Sequence, residues 1–318
     1  MPRASDLPSE LLAGPFTVAT AREHGLSSKV LRGRRFRRVF HGVHVAATLP
    51  DSVGLRVAAA RLVLPDSAVF SHQTAALLRQ LPLPDDPRIH VTLPRGSARS
   101  KSTGIVSHES ELPERMVRTV KGRRVVSPER NFVELAGDLS LVDLVVLGDA
   151  AVRHGWTTVD AIRSAAAQAA GQRNSRVCRR AADLVSPRVD SPMETQSRLL
   201  LVLAGLPCPE PGQQILDEHG QWVATVDLQY REQRIALEYD GDLHRRSKRK
   251  WRQDATTRRR LRELGWDVIV LTADDILIHP AETLRVVSKA LSDRGHPSVP
   301  GELSDEWTTH FPGRTAWL

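Results

Sequence analysis

Only two cysteines, Cys178 and Cys208, occur in 318 residues. A disulfide framework is therefore not expected, and the cytoplasm is the expected compartment. Aromatic residues make up 4% of the chain, too few for a surface that works by stacking successive bases. No apolar run approaches the length of a membrane span, and no basic-then-apolar leader pattern opens the chain. Acid is the scarcer charge. There are 37 Asp and Glu against 45 Lys and Arg, a net charge of +8, with a sequence pI near 10.1. That excess favours a polyanionic partner, and DNA is preferred to an anionic membrane. The length suits two or three domains.

The first 50 residues read helix, turn, helix, wing. Thr17 caps a short helix through His24, and Gly25 ends it. Ser27 caps a second helix to about Gly33, and residues 36–45 alternate as β-structure turning at Gly42. Lys29, Arg32, Arg34, Arg35, Arg37 and Arg38 crowd this segment. A winged helix-turn-helix puts its second helix in the major groove and its wing on the backbone, so these six are candidate DNA contacts. Residues 51–185 read as a mixed α/β middle domain. Helices are expected at 55–64, 74–81, 128–136, 141–153 and 159–170, and strands at 88–93 and 104–108. No catalytic constellation is expected there. Lys101-Ser102 imitates a phosphate loop, but Ser100 stands where glycine is required. His41 and His44 fall on opposite faces of a regular strand, which disfavours a zinc site.

The C-terminal third carries the chemistry. A helix opens at Ser191-Pro192 and stops at Gly205, with Glu194 at its third position. Glu194 is open to two readings, helix capping or metal binding. Two strand patterns follow, 222–228 with Asp227 and 235–240 with Glu238 and Asp240. Strand alternation puts Ile235, Leu237 and Tyr239 on one face and Glu238 and Asp240 on the other. A hairpin near residues 231–233 would set Asp227 beside Glu238. Grouped acids need a cation or a proton to coexist, and hard oxygen ligands suit Mg²⁺ or Mn²⁺. A basic run follows at once: Arg245, Arg246, Lys248, Arg249, Lys250 and Arg252, then Arg258, Arg259, Arg260 and Arg262 on the same expected helix, 248–264. With almost no compensating acid, this run is expected to meet the phosphate backbone. Residues 266–271 read as a buried strand, 281–291 as the last helix, and 293–318 as a tail in which Trp307, Phe311 and Trp317 are candidates for packing.

These motifs, in this order, resemble the Vsr-like nuclease family within the PD-(D/E)XK endonuclease superfamily. The resemblance spans residues 186–292: Glu194 on a helix, Val226-Asp227-Leu228, Glu238-Tyr239-Asp240-Gly241, His244, a basic helix with Asp254, and Gly265-Trp266. It implies a restriction-endonuclease-like αβ sheet domain and a Mg²⁺- or Mn²⁺-dependent DNA endonuclease, with Glu194, Asp227 and Glu238 as metal ligands. The superfamily usually has a lysine where this chain has Asp240. The very-short-patch-repair branch has a histidine there and another soon after the glycine, which makes Asp240 and His244 the candidates for water activation or extra metal contact. The N-terminal half resembles the AbiEi-type antitoxins. It does so through Pro15-Phe16-Thr17, Gly25-Leu26-Ser27, residues 36–43 and Ser71-His72-Gln73-Thr74-Ala75-Ala76. That resemblance implies promoter binding and autorepression, and the fusion of the two halves resembles an actinobacterial architecture. The expected fold is α+β throughout: a winged helix-turn-helix, a mixed α/β middle domain and an endonuclease-like sheet domain. Two functions follow, a metal-dependent endodeoxyribonuclease or a DNA-binding regulator or antitoxin whose nuclease-like domain is an inactive scaffold or a partner-binding surface, with no toxin or operon partner specified by the sequence.

Overall fold

The computed structural model describes residues 8–312 apart from 85, 99, 101 and 242–247, and for 248–254 the helical path alone. The chain is of the α+β class and divides between Leu135 and Ala136 into two compact units. That division falls inside the segment expected as one middle domain, just after the helix that begins at Pro128.

The first unit opens with α1 (Ser9–Ala13), β1 (Phe16–Thr17), α2 (Val18–Glu23), α3 (Ser28–Leu31), β2 (Phe36–Phe40) and β3 (Val43–Ala46). The expected caps form: Thr17 Oγ1 accepts from the Thr20 N–H at 3.1 Å, and Ser27 Oγ from the Val30 N–H at 3.4 Å. Each satisfies a donor that the first turn leaves unpaired. The second helix is one turn long and ends at Leu31, short of the expected Gly33. The antiparallel sheet β1-β3-β2 closes over a small core of Leu11, Phe16, Ala21, Leu26, Leu31 and Phe36. Gly42 turns the hairpin at φ +76°, a conformation that favours glycine.

The same unit continues with α4 (Val53–Arg61), β4 (Val69–Phe70), α5 (His72–Leu78), β5 (Ile89–Leu93), β6 (Ile105–Glu109), β7 (Val117–Val120), β8 (Arg123–Val126) and α6 (Pro128–Leu135). The sheet runs β6-β5-β4-β8-β7 and mixes parallel with antiparallel pairs. β5 is buried along its whole length. Arg79 is buried at the end of α5 and donates to the Ala75 and Val126 carbonyls, tying that helix to β8.

The second unit contains α7 (Leu141–Arg153), α8 (Val159–Gln168), α9 (Ser175–Leu184), α10 (Pro192–Leu203), β9 (Glu210–Leu216), β10 (Trp222–Tyr230), β11 (Ile235–Tyr239), α11 (Lys248–Glu263), β12 (Asp267–Leu271), α12 (Ala273–Leu277) and α13 (Pro280–Asp293). Its sheet runs β12-β11-β10-β9. The first three strands in sequence form an antiparallel meander, and β12 returns through α11 to lie parallel to β11. The apolar pattern of β12 predicts burial. Instead residues 267–270 are half-buried, because the strand occupies a sheet edge. The tail packs in part: Phe311 is buried, and Arg180 pairs with Glu306. Trp317 lies outside the described residues. No helix among the described residues is long and apolar enough to cross a membrane.

Candidate functional site

β10 and β11 pair with Leu228 opposite Leu237 and Tyr230 opposite Ile235. Continuing that register sets Asp227 opposite Glu238. Asp227 Oδ2 accepts the Tyr239 N–H at 2.7 Å, so the side chain closes the end of the ladder. Burial pushes the Asp227 carboxyl up to about 7, and the neighbouring charges of Glu194, Glu238 and Asp190 push the same way against the Tyr239 bond. Three acids therefore act on one half-buried carboxyl: Glu194 from α10, Glu238 from β11, and Asp190 from the segment before α10.

Glu194 is buried, and burial is the main cause that raises its carboxyl above the usual range. Of the two readings left open by the sequence, its contacts show the capping one. Ser191 Oγ accepts the Glu194 N–H at 3.2 Å, while Glu194 Oε2 accepts the Asp190 N–H at 2.8 Å. That is a reciprocal cap reaching one residue further back than a standard capping box. The same carboxylate also bears on Asp227.

α10 is held in place by a buried ion pair. Arg198 Nη2 lies 3.1 Å from Asp149 Oδ2 on α7 and also donates to the Leu184 carbonyl at 2.8 Å. The Ser186 N–H at 2.7 Å and the Thr195 hydroxyl at 2.8 Å satisfy Asp149 further. One carboxylate thus ties α7, the approach to α10 and α10 itself.

Glu238 is turned to a cation of its own. Arg258 Nε donates to Glu238 Oε2 at 2.9 Å, and Arg258 Nη2 lies 3.7 Å from Asp240 Oδ2. Asp240 also donates its N–H to the Leu271 carbonyl at 2.8 Å, continuing the pairing with β12. His244 lies outside the described residues. The donor set of Glu194, Asp227 and Glu238 is all hard oxygen and partly desolvated, which suits Mg²⁺ or Mn²⁺ in donor type, although Arg258 already compensates Glu238. These three carboxylates do not form a set whose ligand atoms all lie within 4.8 Å of one another. Among the described residues, the group whose ligand atoms all lie within 4.8 Å of one another is His72, His90 and His108 in the first unit.

Sequence patterns alone do not single out that histidine group. β5 and β6 pair in parallel with His90 opposite Val106 and Thr92 opposite His108. Both histidines stand inside expected strands, and they fall two positions apart on one face. Only the β5–β6 register turns that signal into a neighbourhood.

The basic residues divide. Lys29, Arg32, Arg34, Arg35 and Arg38 are exposed on the first unit. Arg37 is half-buried and donates to the Leu49 carbonyl at 3.3 Å, a structural contact rather than an exposed one. On α11 the expected scarcity of acid does not hold for the described side chains. Arg258 meets Glu238, Arg259 meets Glu263 at 3.8 Å, and Arg260 meets Asp217 at 3.2 Å. The acids come from β11, from the turn after β9 and from the helix itself, so a linear reading of the run does not find them. Arg245 and Arg246, and the side chains of Lys248, Arg249, Lys250, Arg252 and Asp254, lie outside the described residues.

Two proteins of Mycobacterium tuberculosis are 30% identical to this chain over 254 residues, 80% of this chain and 92% of each relative: uncharacterized protein MT2308 of strain CDC 1551 / Oshkosh and uncharacterized protein Rv2248 of strain ATCC 25618 / H37Rv. The crystal structure of RV2827C protein from Mycobacterium tuberculosis covers 64% of this chain and 84% of its own, at 13% identity and a TM-score of 0.39. No family model matches the chain.

Proposed function

We propose that this chain, which belongs to the family of the mycobacterial proteins MT2308 and Rv2248, binds DNA and hydrolyses phosphodiester bonds with a divalent metal ion. The observation that carries this reading is Asp227. It is a half-buried carboxyl raised to about 7, with two of the causes being the acids Glu194 and Glu238 that the nuclease resemblance names with it. Strongly perturbed acids converging in one place are the mark of a functional site more often than of a bland sheet face.

Glu194, Asp227 and Glu238 would hold the ion. Bound there, Mg²⁺ or Mn²⁺ would polarise the scissile phosphate and favour a hydroxide nucleophile. The protein's own part is positional. Asp227 is fixed by the Tyr239 N–H, Glu194 by the start of α10, and Glu238 by Arg258. Exposed Lys29, Arg32, Arg34, Arg35 and Arg38 would meet backbone phosphates, which position DNA without reading its sequence.

One observation favours the second reading, a DNA-binding regulator whose sheet has lost activity. Asp240 stands where the superfamily's lysine is usual, and Arg258 bridges toward both Glu238 and Asp240. The deciding experiment incubates purified full-length protein with supercoiled plasmid and Mg²⁺ or Mn²⁺, beside Asp227→Asn and Glu238→Gln. Nicking by the parent and not by the variants is the expected result. Retarded but uncut plasmid under every metal would replace the enzyme reading with the regulator.

A further inference from the structure

We propose that His72, His90 and His108 form a binding site for a transition-metal ion of the zinc type in the first compact unit. One ring nitrogen from each lies within 4.8 Å of the others. His90 Nδ1 and His108 Nε2 stand 3.1 Å apart. At that spacing two imidazole nitrogens either share a proton or point their lone pairs at one ion.

The tautomer of His90 is set from behind. Its Nε2 lies 3.2 Å from Asp86 Oδ2, and Asp86 is itself clamped by the Arg88 guanidinium, with Nε 2.9 Å from Oδ1 and Nη2 2.7 Å from Oδ2. A carboxylate on one ring nitrogen keeps the proton there and turns the other nitrogen's lone pair outward, the usual outer arrangement of metal-bound histidine. His72 has a looser support, an acid at ion-pair distance and a hydroxyl at hydrogen-bond distance. Glu134 Oε2 lies 3.6 Å from His72 Nδ1 and accepts the His72 N–H at 3.3 Å, while Arg130 Nε donates to Glu134 Oε1 at 2.9 Å. Ser71 Oγ also lies 3.0 Å from His72 Nδ1. Two of the three candidate ligands thus have an acid behind them, and each acid is anchored by an arginine.

The backbone points the same way. His72 takes φ +47°, a left-handed conformation that costs a β-carbon-bearing residue energy. Glu134 holds its N–H, and Asn131 Nδ2 donates to its carbonyl at 2.9 Å. Strain held from both sides of one residue fixes where the ring starts. The His72 and His108 rings stack with centroids 3.6 Å apart. Metal binding then asks for a tilt of one ring about its outer torsion, which is broad and soft.

The ligand class follows from the donors. Imidazole nitrogen suits Zn²⁺, Co²⁺, Ni²⁺ and Cu²⁺ and gives little to Mg²⁺. Three protein ligands are also the number with which zinc keeps a fourth position for water. This site is independent of the acids around Asp227.

The test is metal content and spectroscopy on full-length protein stripped with chelator and then titrated with Zn²⁺ or Co²⁺. One equivalent retained after desalting is expected, with the intense visible absorption of four-coordinate Co²⁺. His108→Gln, at a half-buried position, should lose that equivalent while keeping the parent's circular dichroism. Asp86→Asn should weaken zinc binding by about 10–100-fold. Asp227→Asn, in the other unit, should leave the stoichiometry unchanged. If His108→Gln and His72→Gln both retain the full equivalent, or if the parent retains no metal, the cluster is a hydrogen-bonded histidine network and the proposal is wrong. If Asp227→Asn alone removes the metal, the zinc lies at the acids and the proposal is equally wrong.

Discussion

Asp227 gives the second unit a pH dependence whose sign is fixed. Its carboxyl stands near 7 in the folded chain against 3.8 ordinarily. Between those values the folded state keeps a proton that the unfolded state has released, so stability falls as pH rises from about 4 to about 7. Asp227→Asn keeps an acceptor for the Tyr239 N–H and removes the ionisation. It should stabilise the protein near pH 8 by an amount of order 2–4 kcal/mol and change little near pH 4, as read by urea unfolding at both. A divalent ion bound as proposed would compete with that proton. Millimolar Mg²⁺ should raise the melting temperature near pH 8 and lose the effect near pH 5. A Mg²⁺ response that ignores pH would place the ion elsewhere. Asp227, Glu238 and Glu194 are legible as residues because strand alternation and a helix start are local patterns. Arg258 on Glu238, and the histidines behind Asp86 and Glu134, are not, because each pairing spans a gap in sequence that only register or packing closes.

Among the elements, α10 depends on partners that no local pattern announces. Asp149 and Arg198 are nearly inaccessible and satisfy each other with the help of Thr195 and Ser186. Asp149→Ala would leave a buried guanidinium without its carboxylate and should cost about 3–5 kcal/mol. Ser191→Ala removes only the N-cap acceptor of the same helix and should cost about 1 kcal/mol. Equal destabilisation in the two variants, by chemical denaturation, would mean that the ion pair is not what fixes α10. Long periodic helices such as α7 and α13 are readable from the sequence. α9 escapes because the residues it buries, Cys178, Ala181 and Ala182, are small and make a faint apolar face. The two-residue β4 is too short to carry a period. β9 escapes because Pro211 and Gly212 are poor strand formers. Gly212 has its reason in close packing: a β-carbon there would meet the Arg188 carbonyl at 2.6 Å, at φ +59°.

For the whole molecule, charge and division make separate predictions. A net charge of +8 favours duplex binding that weakens steeply with salt. Arg34→Ala with Arg38→Ala should weaken binding alike on unrelated sequences and lower the salt slope by about 0.9 for each phosphate no longer neutralised. A weakening confined to one sequence would instead mean base readout. Two compact units should also unfold as two calorimetric transitions, and a single sharp one would mean that they are thermodynamically one. The α+β class is legible in the alternation of patterns, and so is the order of helix, turn, helix and hairpin at the start. The boundary at Leu135 and Ala136 is not, since the short turn 136–140 between α6 and α7 looks like any other helix–helix connection.

The edge strand β12 has a consequence in time. β9, β10 and β11 can zip together as neighbouring hairpins, whereas β12 pairs with β11 only after the chain has crossed back through α11. Such parallel closure brings distant residues together and forms slowly. Asp240, whose amide bonds to Leu271, and Arg258 on the crossing helix therefore take their places late. Pulse-labelled hydrogen exchange during refolding should protect the Leu228 and Leu237 amides before those of β12, so the acids spend the early life of the chain without their arginine.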